Sequence, residues 1–93
     1  MSVLVSTTHL RSFLAVVETQ SVTCAARVCG YSQPAVSGHI KAIEKELGVN
    51  LFHRDRAGMQ LTSAGKQFIA GANRALSQLG ELERALSALC KSA

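Results

Sequence analysis

Ninety-three residues suffice for one small domain, and a chain that is 47% apolar and 17% charged should bury a core, which excludes a disordered polypeptide. The net charge of +4 favours a polyanionic partner, although charge alone fits a mildly basic soluble domain equally well. No stretch approaches the roughly 18 apolar residues of a membrane span, and no cationic start leads into an apolar run, so we expect neither a membrane anchor nor a signal peptide.

Capping residues and apolar spacing predict the first two helices. The first should start near Thr7 or Thr8 and fade around residues 18–20. Ser21 can cap a second, shorter helix, which Gly30 is placed to end because glycine tolerates a left-handed conformation. The apolar residues that share one face, and should be buried, are Leu10, Phe13, Leu14 and Val17 in the first helix and Val22, Ala25, Ala26 and Cys29 in the second.

A third helix is predicted between its cap, Ser32, and its stop, Gly48. Pro34 falls in the first turn, where its missing amide is not needed. Two short helices separated by a tight turn at Gly30 indicate a helix-turn-helix over about residues 22–41. The residues expected to form the buried face of the third helix are Val36, Ile40, Ile43 and Leu47.

The opposite face of the third helix lacks a central carboxylate, since Glu44 and Glu46 fall on its flanks. Its residues are Pro34, Gly38, Lys41 and Lys45, with Ser37 at the edge. This composition suits the major groove of DNA, and Gln33 can offer a bidentate amide to a base such as adenine. Lysines on an amphipathic helix are as often merely solvated, so both interpretations stay open. Glycine inside an exposed helix costs about 0.5–1 kcal/mol, which either close approach to a ligand or drift would explain at Gly38.

The next segment predicts a two-stranded wing. Val49–Phe52 and Met59–Leu61 are short apolar runs that can pair as strands. The tip between them carries Arg54, Arg56 and Gly58.

The final predicted helix is capped by Thr62 or Ser63 and continues without proline to the end of the chain. It would be roughly 40 Å long at 1.5 Å per residue, too long to pack wholly on so small a core. Its apolar positions alternate in steps of four and three, which is a heptad seam and predicts a partner helix in a homodimer. The seam consists of Phe68, Ala72, Ala75, Leu79, Leu82, Leu86 and Leu89.

The reactive side chains predict no enzyme, no metal and no cofactor. Cys24 and Cys29 lie about 140° apart around a helix, and with His39 they match no zinc spacing, so small buried residues are the better interpretation. No histidine has a triad partner, and His39 and His53 are expected at the surface. Cys90, beside the seam, could crosslink a dimer under oxidation. Three cysteines, an odd number, fit the cytoplasm.

The run from Leu10 to Gly65 closely resembles the N-terminal signature of LysR-type transcriptional regulators. The matching blocks are the alanine pair of the second helix, SQPAVS, ELG, LFHR and LT-x-AG, in the family's order and at its separations. The resemblance implies a mainly α winged helix-turn-helix, with a three-helix core and a two-stranded wing, over residues 5–62. A dimerisation linker helix over residues 63–93 follows it.

The resemblance also implies a function and an assembly. The third helix would enter the major groove of double-stranded DNA and the wing the adjacent minor groove, in a bacterial regulator acting at the nucleoid. Dimers, or tetramers of a full-length protein, would bind interrupted palindromes. The family's effector-binding domain is missing, so we expect an excised fragment or a naturally short relative.

Carried over residue by residue, the resemblance and the basic face together give the predicted DNA contacts: Val22, Thr23, Ser32, Gln33, Pro34, Ser37, Gly38, Lys41, Lys45, Arg54 and Arg56. Gly38 departs from the long polar side chain frequent at its position, which puts the base preference in doubt. A second hypothesis stays open, in which the heptad helix binds a partner protein and the winged domain is its scaffold. Steep salt dependence of DNA binding would separate the two.

Overall fold

The computed structural model describes residues 6–56 and 58–92. Along the chain, its elements are α1 (Thr7–Thr19), α2 (Val22–Cys29), α3 (Gln33–Leu47), β1 (Phe52–Asp55), β2 (Gly58–Leu61) and α4 (Ser63–Ser92). The predicted fold class is confirmed: three packed helices, a two-stranded antiparallel wing and a long helix after it. The predicted domain start at residue 5 and linker end at residue 93 lie outside the described residues.

Helix α1 is capped one residue earlier than predicted. Ser6, and not Thr7 or Thr8, accepts the first-turn amide of His9 on its hydroxyl at 3.2 Å. The helix ends as expected, and Gln20 follows it with φ 58°. This left-handed conformation is uncommon for a residue with a Cβ. It turns the chain sharply, so that α2 starts two residues later.

The capping predictions for α2 and α3 are confirmed. Ser21 and Ser32 accept first-turn amides on their hydroxyls at 3.1 and 3.2 Å. Gly30 and Gly48 end the helices in the left-handed region, with φ 76° and 73°. Capping depends on groups within one helical turn, which is why the local sequence specifies both helices closely.

The core forms where α1, α2 and α3 pack around Phe13, which is fully buried. The centroid of the Phe13 ring lies 5.5 Å from that of Phe52 at the root of the wing. It lies 5.1 Å from the ring centroid of Phe68 of α4, in an edge-on contact. Leu47, predicted to be buried, is 38% exposed at the last residue of α3. The buried apolar residues are Leu10, Phe13, Val16, Val22, Ala25, Ala26, Val36, Ile40, Ile43, Leu51, Phe52 and Ala72.

The first strand of the wing begins later than predicted. Residues 49–51 precede the strand, with Val49 exposed and Leu51 buried in the core. Pairing starts at Phe52 opposite Leu61 and reaches Asp55 opposite Gly58. Beyond Phe52 the residues of β1 are exposed, so this strand pairs through its backbone without the apolar alternation that marks a half-buried strand. Met59 and Leu61 of β2, by contrast, pack against the core.

Thr62, one of the two predicted caps, fixes the start of α4 against the root of the wing. Its hydroxyl accepts the Gly65 amide at 3.0 Å and donates to the Asn50 carbonyl at 2.6 Å, and its own amide donates to the Leu51 carbonyl at 3.0 Å. Gly65 is buried, and a Cβ there would collide with that same Leu51 carbonyl oxygen. The glycine therefore lets α4 approach the backbone closely.

The heptad seam of α4 divides into two parts. Ala72 is only 2% exposed, so its own domain covers it and leaves little of it for the second chain that the seam predicts. Phe68 packs on the core but is only half-buried, and its contact with a second chain stays a prediction. Residues 81–91, by contrast, are all exposed, including Leu82, Leu86 and Leu89. Within the described residues, none of the helices combines the length and apolar character needed to cross a membrane.

Candidate nucleic-acid interface

Helix α3 presents the predicted face to solvent. Gln33, Pro34, Gly38, Lys41 and Lys45 are all exposed. The bare backbone at Gly38 has open space around it, since a Cβ there would meet no atom within 4 Å. The fold itself therefore does not require glycine at this position.

The start of α2, the start of α3 and the wing surround a surface cavity with a volume of about 350 Å³, which we call the groove. Four of the predicted DNA contacts line it, from three different elements. The lining residues are Gln20, Ser21, Val22, Thr23, Gln33, Arg54, Asp55, Gly58 and Met59. The groove therefore places an amide side chain, a wing arginine and the N-terminus of a helix around one opening, and helix N-termini favour anions.

A second concave surface, about 130 Å³, lies between α3 and β1, and we call it the crevice. Ser37 and Lys41 reach it from the helix and Arg54 from the strand, so Arg54 borders both surfaces. The crevice also contains Glu44 and His53, which were not among the predicted contacts. The wing and the basic face of α3 thus form one continuous region.

The remaining predicted contacts lie outside both concave surfaces. Ser32, Pro34, Gly38, Lys45 and Arg56 are exposed but line neither. The side chain of Val22 is 6% exposed and belongs to the core, so only its backbone at the start of α2 is placed to meet a ligand.

Sequence reasoning missed Glu44 as part of this region. Its Oε2 accepts the backbone amides of Leu51 and Phe52 at 2.7 and 3.3 Å. These bonds connect α3 to the first residue of the wing. A helical wheel could have found the side of α3 on which Glu44 lies, since it is about 20° from Ser37, but not its backbone partners.

His39, predicted to be a surface residue, packs between helices instead. Its Nδ1 lies 2.8 Å from the hydroxyl of Ser12, which is completely buried. Its ring is 5.0 Å from the ring of His9 and 5.2 Å, edge-on, from that of Tyr31. Burial lowers the pKa of His39, and the neighbouring His9 lowers it further. His39 therefore belongs to the packing of α1 on α3 and not to the groove.

This environment predicts lower stability in acid. The unfolded chain takes up a proton at His39 more readily than the folded chain does, so stability should fall as the pH drops below about 6.5, the ordinary histidine pKa. We expect the melting temperature to decrease between about pH 7.5 and 5, and His39→Gln to flatten that decrease. The exposed His53, changed to Gln, is the control. An equal pH dependence in the His39→Gln variant and the parent would contradict the assignment.

The cysteines and other possible metal ligands do not form a site in the described part of the chain. Cys24 is exposed, so the prediction that it is buried is wrong, whereas Cys29 is half-buried with its Sγ 4.0 Å from the Arg11 carbonyl. Cys90 is exposed, as its place beside the seam predicts. Among the residues that the structure describes, no three His, Cys, Asp or Glu side chains cluster closely enough to hold a metal ion.

Three packed helices, with a short turn between α2 and α3, are followed by a two-stranded antiparallel wing. This arrangement defines a winged helix-turn-helix module. Residues 7–66 match the model of the bacterial regulatory helix-turn-helix proteins of the lysR family, and the chain belongs to that family. The resemblance inferred from the sequence is confirmed, and so is the prediction that the chain is not an enzyme, because the family is one of regulators.

Known proteins similar to this chain include a transcriptional regulator and two solved domains. The HTH-type transcriptional regulator ClcR of Pseudomonas putida is 44% identical over 68 residues, which are 73% of this chain and 23% of ClcR. The CbnR DBD in complex with DNA superposes with a TM-score of 0.82 at 34% identity, over 90% of this chain and 98% of that one. The BenM DBD in complex with catB site 1 DNA superposes with a TM-score of 0.84 at 34% identity, over 91% of this chain and 96% of that one. The chain spans about a quarter of the length of the curated relatives it matches.

Proposed function

We propose that this chain binds double-stranded DNA in a sequence-specific manner, as a dimeric transcription regulator of the LysR type. The observation that carries the proposal is the groove, in which the start of α2, Gln33 of α3 and Arg54 of the wing surround one opening. The two similar domains just described are both in complex with DNA. A regulator with this target works in the bacterial cytoplasm, at the nucleoid.

In this proposal α3 is the recognition helix and lies in the major groove. Gln33 and Ser37 face base edges, and the exposed glycine at position 38 lets the backbone approach the duplex. Lys41 and Lys45 extend along the same exposed face toward phosphates. The N-terminal turn of α2, with Thr23 exposed and the backbone of Val22 available, meets a phosphate as helix N-termini do.

The wing takes the adjacent minor groove. Arg54 and Arg56 are exposed on the hairpin, one in β1 and one just beyond it. Between residues 27 and 66 the chain carries six basic side chains against three acidic ones, so this half of the domain is positive. Such a field attracts a polyanion before any base is read.

The part of the α4 seam that follows Ala72 is the proposed dimer contact. It consists of Ala75, Leu79, Leu82, Leu86 and Leu89, of which Leu79 is half-buried and the others are exposed. A dimer places two recognition helices on one duplex, which matches an interrupted palindrome. Assembly into tetramers is proposed for a full-length protein only.

Selection of bound duplexes from a random pool tests binding, symmetry and half-site spacing in one experiment. We expect enrichment of two half-sites in inverted orientation, separated by about one helical turn or a multiple of it. Failure to retain any duplex, even in dilute buffer, would overturn the proposal and favour the protein-interaction alternative.

Arg56→Ala should reduce the salt dependence of binding. If Arg56 neutralises one phosphate, its loss lowers the slope of log affinity against log salt by about one and weakens all duplexes similarly. Fluorescence anisotropy over a series of salt concentrations measures the slope. Arg74→Ala is the matched control, because Arg74 is an equally charged, exposed residue on α4. Equal effects of the two variants would show that Arg56 acts through net charge alone.

A further inference from the structure

Glu44 lies at the junction of the recognition helix and the wing. One carboxylate oxygen accepts the amides of two successive residues, Leu51 at 2.7 Å and Phe52 at 3.3 Å. Phe52 is the first residue of β1, and Arg54 is the third. The wing arginine is therefore two residues from an amide that is fixed to α3.

The position of Glu44 is unfavourable for direct contact with DNA. It lines the crevice with Ser37, Lys41 and Arg54, on the side of the domain proposed to face phosphates. A carboxylate there would repel the duplex. Its bonds to two amides use this charge within the fold, and charge-assisted hydrogen bonds of this kind are stronger than neutral ones.

A further hydrogen bond and a ring contact at this junction hold the root of the wing to α1 and to the start of α4. The Leu51 side chain is buried and its carbonyl accepts the Thr62 amide, which fixes it to the core and to α4. The Phe52 ring packs on Phe13 of α1. The segment between α3 and β1, residues 48–50, is exposed. The bonds from Glu44 thus provide a polar connection between recognition helix and wing that spans this exposed segment.

We infer that Glu44 is a positioning residue for DNA binding. Through the Leu51 and Phe52 amides it fixes the position of Arg54 of the wing relative to the exposed face of α3. This inference rests on the proposed function. It assigns to an acidic residue a favourable role in binding a polyanion.

A double-mutant cycle with the wing arginine tests the inference. In the parent, Arg54→Ala should weaken binding to the selected duplex by about tenfold, the equivalent of one charge-assisted contact. In the Glu44→Ala background the same change should cost less than about threefold, because the wing is no longer held in register with α3. Glu46 is exposed on the same helix and its removal changes the net charge identically, so in the Glu46→Ala background the full penalty should remain.

Hydrogen exchange in the absence of DNA gives the second measurement. The Leu51 and Phe52 amides should exchange at least about tenfold faster in Glu44→Ala, where their acceptor is gone, and at the parent rate in Glu46→Ala. Glu44→Gln keeps one carbonyl oxygen as acceptor and should fall between them in exchange and in coupling to Arg54. This variant carries the test if Glu44→Ala does not fold.

The outcomes separate the inference from the function on which it rests. A parent chain that binds no duplex overturns the proposed function, and this inference with it. A parent that binds DNA, but loses the same factor on Arg54→Ala whether or not Glu44 is present, overturns this inference alone. Unchanged exchange of both amides in the Glu44 variants would do the same.

Discussion

Replacing Gln33 by alanine should weaken binding to the preferred duplex by about 1–3 kcal/mol and relax the preference at one base position, as the loss of a bidentate base contact does. Gln33 is the first residue of α3, is exposed, and lines the groove beside Arg54. The cap of the helix is the Ser32 hydroxyl, so removal of the Gln33 amide leaves the helix start intact. Affinities for the selected duplex and its single-base variants measure both effects.

Gln67→Ala is the control for this change. Gln67 is an exposed glutamine on α4, so the same atoms are removed away from the groove. We expect its affinities to equal those of the parent on every duplex. If Gln33→Ala weakened all duplexes by one factor, Gln33 would be a phosphate contact and not a base reader. If it changed nothing, α3 would be placed wrongly in the proposal.

The fold was predictable where its determinants are local. Ser21 and Ser32 cap their helices with hydroxyls that act within one turn, and Gly30 and Gly48 end them with a conformation that glycine tolerates. The cap of α1 was misplaced by one residue because three consecutive hydroxyl residues, Ser6, Thr7 and Thr8, all suit that role. Only the backbone geometry selects among them.

The errors arise where tertiary context decides. Val49 and Leu51 resemble strand residues, yet Leu51 fills the core and Val49 is exposed, so the strand starts after both. His39 carries no mark in the sequence that distinguishes it from a solvated histidine. Its environment is set by Ser12, which lies 27 positions earlier in the chain. Periodicity describes one helix at a time and cannot supply such partners.

The candidate site was predictable in its composition but not in its connections. The exposed basic face of α3 follows from helical spacing, and the wing contacts were implied by the family resemblance. Glu44 was assigned to a flank, which is correct, but its hydrogen bonds go to backbone amides beyond the end of its own helix. Backbone amides are present at almost every residue, so no sequence pattern marks these two.

The second large effect concerns assembly: Leu82→Glu combined with Leu86→Glu should convert a dimer into a folded monomer. Helix α4 has 30 residues and is about 45 Å long at 1.5 Å per residue. Leu82 and Leu86 are 55% and 53% exposed, so the single chain does not depend on them. Two glutamates in a helix–helix contact would bury unpaired charges, which dissociates the dimer.

For the Leu82→Glu, Leu86→Glu variant, sedimentation should show one chain per particle. Its circular dichroism should show the same helix content as the parent. Binding to a duplex with two half-sites should fall by about a hundredfold or more, because the second half-site no longer gains from linkage, whereas binding to one half-site should change little. Ser77→Glu with Ser87→Glu is the matched control: it adds the same two charges at exposed positions of α4 away from the leucine seam. It should remain dimeric. A Leu82→Glu, Leu86→Glu variant that still sediments as a dimer would place the contact between chains elsewhere, and the proposed spacing of the recognition helices would then have to be abandoned.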